Sequence, residues 1–168
     1  MEREIVDEID KKSKYIVLSI LYIFIAIAIS ISVLLLFSSN FNVIFKGNIP
    51  TFSTAVEAVV FLVVWLLYGM VMGYMKKNSF LKFISFYWGI SGLICIAAAL
   101  IEPLGKLAII AIPVGLLNLV PTYGLKYFIN IGSHEIVFTI MCITLSWSSG
   151  AIGFLLGYLL RVSMFSNK

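Results

Sequence analysis

Hydrophobic positions in this chain neither alternate nor keep to one helical face; they run together. Ile16 to Phe37, Thr54 to Met75, Phe83 to Ile101 and Ile136 to Leu160 are four nearly unbroken apolar stretches. At about 1.5 Å of rise per helical residue, each approaches or exceeds the length needed to cross a hydrocarbon core of roughly 30 Å. Such runs predict transmembrane helices, because a segment in lipid must satisfy its backbone N–H and C=O groups internally. The first run is too long for a secretory leader, and "LLLFSSNF" offers no small-x-small cleavage site, so it is expected to stay as an anchor.

A fifth apolar stretch, Leu107 to Leu125 (LAIIAIPVGLLNLVPTYGL), carries no charge but contains Pro113, Gly115, Pro121 and Gly124. It has the length of a span and the composition of a broken helix, since proline removes a donor and collides with the preceding turn. Two arrangements follow: a kinked fifth span, or a re-entrant hairpin that turns near "VPTYG" and leaves on the side it entered. The flanking Lys106 and Lys126, with Tyr123 and Tyr127 at one end, favour the full span.

Composition agrees with the pattern. With 61% hydrophobic and 12% charged residues, a water-soluble fold would expose large apolar patches. No repeat and no polar linker divides the chain. The fold class expected is all-α, a polytopic integral membrane helix bundle forming one domain over residues 16–160. An amphipathic head precedes it at 1–15 and a short polar tail follows at 161–168. Basic residues set the orientation. Arg3, Lys11, Lys12 and Lys14 place the amino terminus in the cytoplasm, and Lys76, Lys77 and Lys82 return the chain there, against Lys46 alone in the first outer loop. The plasma membrane is the expected location. A full fifth span puts eight of the 12 Lys and Arg inside and a hairpin puts nine, so both obey the rule. With five spans the carboxyl-terminal "RVSMFSNK" is expected outside.

Charge inside a bilayer is costly and marks a functional candidate by default. Glu57 is one, although Thr54-x-x-Glu57 also has the spacing of a capping box at a helix start. His134 and Glu135 are the others, with Ser133 before them in the position of an N-cap and the acid in the first helical turn. These three are the candidate ion or proton residues. In a five-span chain they lie on opposite faces; with a hairpin they share one.

Little else resembles reaction chemistry. A His-Glu-x-x-His zinc site needs a second histidine where Phe138 stands, and "SWSSGAIG" lacks the Gly-x-Ser-x-Gly elbow. Cys95 and Cys142 fall inside apolar runs and read as packing residues. No phosphate-binding glycine loop or nucleic-acid signature is present, so a net charge of +4 reads as membrane topology. The expectation is a protein that is not an enzyme, needs no metal or cofactor and binds no nucleic acid.

Small residues supply the clearest pattern. Cys142, Ser146, Ser149, Gly153 and Gly157 recur on one face of the last run, Gly69-x-x-x-Gly73 lies in the second and Gly89 and Gly92 in the third. Such surfaces let helix backbones approach closely, within the chain or against a partner. Phe80, Phe83, Phe86, Tyr87 and Trp88 read as an interface anchor, and Trp65 and Trp147 as core filling. Two functions follow. The favoured one is a non-catalytic accessory component that packs with a membrane-protein partner or a second copy of itself. The alternative is a transport or binding subunit for a small uncharged solute or lipid, with Asn118, Thr122 and Tyr123 of the Pro-broken segment as contacts.

Overall fold

A computed structural model describes residues 2–36, 50–100, 108–129 and 135–166. In chain order the elements are α1 (Glu2–Leu36), α2 (Phe52–Tyr74), α3 (Ser79–Leu100), α4 (Ala108–Asn118), a 3₁₀ helix (Val120–Tyr127) and α5 (Glu135–Ser166). There is no strand among the described residues. Stretches of α1, α2, α3 and α5 are long and apolar enough to cross a membrane. The chain is therefore a helical membrane bundle, with four candidate spans among the described residues.

The span ends are built by local chemistry. Thr51 caps α2 reciprocally with Thr54: the Thr54 amide donates to Thr51 Oγ1 at 3.4 Å and the Thr51 amide to Thr54 Oγ1 at 2.9 Å. The capping pair is thus one turn earlier than the Thr54–Glu57 spacing implies, and Glu57 lies inside the helix. At the other end the Lys77 amide reaches Met72 O and the Lys76 amide reaches Gly73 O, the pattern of a Schellman stop. Lys76 takes the left-handed position with φ of 56°. The chain then reverses into α3 within a few residues. Arg161 covers the same helix end by donating to Tyr74 O at 2.8 Å, a cation where the helix dipole is negative.

Helix directions follow from the contacts. Tyr68 meets Phe80 and Phe61 meets Trp88, so α2 and α3 are antiparallel. Gly69 abuts Gly150, Gly153 abuts Leu66 and Gly157 abuts Met70, each backbone to backbone, so α2 and α5 run parallel. The face of α1 that carries Tyr22, Ala26, Ser30 and Val33 is buried, with Tyr22 against Phe80 and Phe83, while most of its other described side chains are exposed. The starts of α2 and α5 consequently share one end of the bundle. The start of α3 and the close of α5 share the other, hereafter the lysine end, because Lys76, Lys77 and Lys82 cluster there.

Parallel α2 and α5 decide the fifth segment. Since α3 ends and α5 begins at the same end of the bundle, the chain between them cannot finish on the other side. It is a re-entrant hairpin, not the full span that its flanking residues favoured. Its inward arm, α4, is 11 residues long, about 16 Å at helical rise, and its return arm is a 3₁₀ helix of eight, again about 16 Å. Each arm is about half of a roughly 30 Å core. The flanking Lys and Tyr misled because they mark a membrane surface, and a hairpin touches the same surface twice.

Pro121, not Pro113, determines where the α-helix stops. Helix α4 runs through Pro113, whereas the Leu119 amide makes the last i→i−4 bond, to Gly115 O at 2.8 Å. Pro121 has no amide for the next position, and the ladder tightens to Thr122 N→Leu119 O at 3.1 Å. The Thr122 hydroxyl then donates to Leu119 O at 2.9 Å, with Asn118 O at 3.4 Å. Irregular backbone at membrane depth is tolerated when buried in protein, and Val120, Pro121, Thr122, Gly124 and Leu125 are all buried.

An aromatic core lies between α2 and α3. Trp65 is fully buried, with Trp88, Tyr87 and Tyr68 at centroid distances of 5.2, 5.8 and 5.9 Å. Phe80 and Trp88, expected as interface anchors, belong to this core, whereas Trp147, expected as core filling, is exposed and donates to Ser85 Oγ at 3.0 Å. Helix rotation is the cause: α3 turns Phe80, Ile84, Trp88 and Ser91 inward, and hydropathy does not report that angle.

Candidate functional site

The tip of the hairpin is clasped to the middle of α3 by polar groups. Tyr87 Oη donates to Asn118 Oδ1 at 2.7 Å, and Asn118 Nδ2 donates to Ser91 Oγ at 3.3 Å and to its own Val114 O at 3.0 Å. Three of the four hydrogen bonds available to an amide side chain are thus made inside the protein. Asn118 retains 4% of its accessible surface and Thr122 none. Tyr123 packs its ring edge-on to Phe138 beneath the Lys126 ammonium. The three candidate solute contacts therefore sit together at the break, and none of them is among the described lining of the groove beside them.

The open space is beside them. A half-open groove of about 900 Å³ runs between α1 and α3, floored near its inner end by Val114 of α4. Ser19 and Ile23 of α1 form one wall. Helix α3 contributes the other as a stripe of two residues per turn, including Ser79, Lys82, Phe83, Phe86, Ile90 and Ile94. Ser79 to Ile94 covers about 22 Å of helix. Polar groups mark two levels: Asn78, Ser79 and Lys82 at the lysine end, and Tyr87 and Ser91 where the clasp meets the groove. The Ser79 hydroxyl lies 3.2 Å from Tyr22 Oη, which ties α1 to the start of α3 beside the groove.

Phe86 and Ile90 line the groove while remaining exposed. Between two membrane-spanning helices that opening faces hydrocarbon. The sequence carries a weak trace of this arrangement: Tyr87 and Ser91 are four apart in a mostly apolar run, a polar pair on one helical face. No pattern along the chain marks the wall that α1 supplies, because that wall exists only after the helices pack.

Gly69, Gly73, Ser146, Ser149, Gly153 and Gly157 lie along the α2–α5 contact. Gly69 and Gly73 meet the backbone of α5, and Gly153 and Gly157 meet the backbone of α2. Ser149 Oγ donates to Leu62 O, and Ser146 is fully buried. The stripe is occupied within the chain.

Among the candidate ionisable residues, Glu57 is 3% exposed on the packed face of α2, one turn past Thr54. Glu135 opens α5 at the same end of the bundle. His134 lies outside the described residues, as does the environment of the Glu135 side chain. Among the described residues no three of His, Cys, Asp and Glu converge as a metal site would require. Compared with protein-family models, curated proteins and solved structures, the chain finds no match in any of the three.

Proposed function

We propose that this chain is a non-catalytic multi-pass protein of the plasma membrane that takes an amphiphilic, lipid-like molecule into the groove between α1 and α3, as a binding or transport subunit. The groove carries this reading. Its volume of about 900 Å³ lies within the ~300–1,000 Å³ of ligand sites, and its walls are apolar with a few convergent polar groups. It also adjoins a broken helix at mid-bundle, the kind of element that builds sites in transporters. An amino terminus in the cytoplasm is supported by charge: the four-span path puts nine of the 12 Lys and Arg on one side.

The accessory reading loses its main support, since the small-residue stripe proposed to receive a partner is filled by α2. Thermal unfolding of the purified protein across a panel of lipids and small uncharged solutes tests the proposal, because a ligand that binds the folded state raises its stability by about 2.7 kcal/mol at a hundredfold excess over Kd. Ile90→Trp fills the groove from an exposed position. It should abolish the ligand-dependent shift and leave the ligand-free melting temperature close to that of the wild type. A wild type that no compound in the panel stabilises would refute groove binding.

A further inference from the structure

We infer that the occupant of the groove is a bilayer phospholipid with an anionic headgroup, its phosphate held at Asn78, Ser79 and Lys82 and one acyl chain laid along Phe83, Phe86, Ile90 and Ile94. This rests on the binding reading above and adds the chemical class of the ligand.

Charge is the first ground. Among the described lining residues of the groove Lys82 is the only charged one, and it stands at one end of it. Lys76 and Lys77 lie in the turn just before α3. No Asp or Glu is among the described lining residues. Along α1 the nearest acid is Asp10, nine residues from Ser19 and thus about 13 Å farther out. The first turn of α3 adds a helix dipole whose positive end points the same way. An uncharged solute would leave this concentration of positive charge unmatched.

Dimensions are the second ground. Lys82 to Ile94 spans 12 residues, about 18 Å of helical rise, against a leaflet depth of roughly 15 Å. A headgroup at Lys82 therefore lies at the membrane surface while its chain follows α3 past the midplane. A free phosphate ion would use the lysine end and leave the long apolar wall without a ligand. Tyr87 and Ser91, which also line the groove, follow Lys82 by five and nine residues, about 7.5 and 13.5 Å of helical rise.

The test measures stabilisation of the detergent-purified full chain by phosphatidylglycerol, by phosphatidylcholine with the same acyl chains, and by inorganic phosphate. Wild type should bind the anionic lipid about fivefold tighter than the zwitterionic one, the ratio expected of one lysine near a headgroup. Lys82→Gln should remove that preference and Lys82→Arg retain it, both with unchanged ligand-free melting, since Lys82 is exposed. Ile90→Trp should abolish the shift with both lipids, and phosphate alone should produce no shift. Equal wild-type affinity for the two lipids would overturn the headgroup assignment and leave groove binding intact, whereas a shift with neither would overturn both. A preference that survives Lys82→Gln would remove Lys82 from the site, and stabilisation by inorganic phosphate alone would refute a lipid ligand.

Discussion

Gly124 of the return arm rests directly on the backbone of Thr54, in the first turn of α2. A methyl group at position 124 would collide with the Thr54 carbonyl and come within 2.6 Å of the Ala55 amide nitrogen. This approach seats the 3₁₀ helix against the end of α2 and closes the hairpin, with the Tyr127 ring edge-on to Phe52 at 6.3 Å. Gly115, in the inward arm, has nothing within 4 Å of an added Cβ. Gly124→Ala should therefore cost about 1–3 kcal/mol, the usual penalty of overpacking, and Gly115→Ala should be neutral or mildly stabilising. Equilibrium unfolding in mixed detergent would measure both. Equal effects would mean that the two arms are not held as described.

The four spans were legible because hydropathy reports length and polarity along one axis. The run Ile16 to Phe37 corresponds to a candidate span at Ile16–Leu35, and the run Thr54 to Met75 to one at Phe52–Tyr74. The hairpin was legible only as an alternative. Its deciding fact, the parallel course of α2 and α5, depends on Gly153 meeting Leu66 and Gly157 meeting Met70 across the bundle. Asn118 stood out as the one amide in an apolar run, yet its partners Tyr87 and Ser91 are 31 and 27 residues away. The groove was not legible, since Ser19 and Lys82 become neighbours of one space only when α1 packs on α3.

The parallel α2–α5 contact should be intolerant of bulk. Added Cβ atoms on Gly69, Gly73, Gly153 and Gly157 all strike backbone of the facing helix, which cannot move aside as a side chain can. Gly153→Leu should consequently unfold or expand the isolated monomer and not merely loosen an assembly. Gly89 has open space around its Cβ position, and Gly89→Ala serves as the control. Size-exclusion profiles and unfolding midpoints would separate the cases. A Gly153→Leu protein with a wild-type midpoint that loses only its oligomeric state would return the stripe to an intermolecular role.

The clasp makes a separable energetic claim. Hydrogen bonds between helices in membranes average about 0.6 kcal/mol and reach about 1.7. The Tyr87–Asn118 bond, at 2.7 Å between a half-buried hydroxyl and a buried amide at mid-bundle, should fall toward the upper figure. A double-mutant cycle of Tyr87→Phe and Asn118→Leu should show a coupling of about 1–2 kcal/mol in unfolding free energy. Asn118→Leu alone should cost more than Tyr87→Phe, because it also removes the bonds to Ser91 and Val114. Additive single effects would show that the two side chains do not hold the hairpin tip together.

An even number of spans among the described residues puts Glu2 and Ser166 on the same side. Helix α1 begins at the lysine end, where Tyr22 Oη lies 3.2 Å from Ser79 Oγ, and α5 finishes there, with Arg161 donating to Tyr74 O. Both ends of the described chain therefore lie on one side of the membrane, which replaces the outside carboxyl terminus expected of five spans. Phe128, just past the return arm and 59% exposed, belongs to the opposite side. Single cysteines at Ser13, Phe128 and Ser163, in a Cys95→Ala, Cys142→Ala background, should give two groups when cells are treated with a membrane-impermeant maleimide. Positions 13 and 163 should resist labelling until the membrane is opened if, as proposed, the side rich in Lys and Arg is cytoplasmic. Position 128 should label in intact cells. Labelling of 163 together with resistance at both 13 and 128 would require a fifth crossing between α3 and α5, and that result alone would refute both the hairpin and the parallel α2–α5 pair.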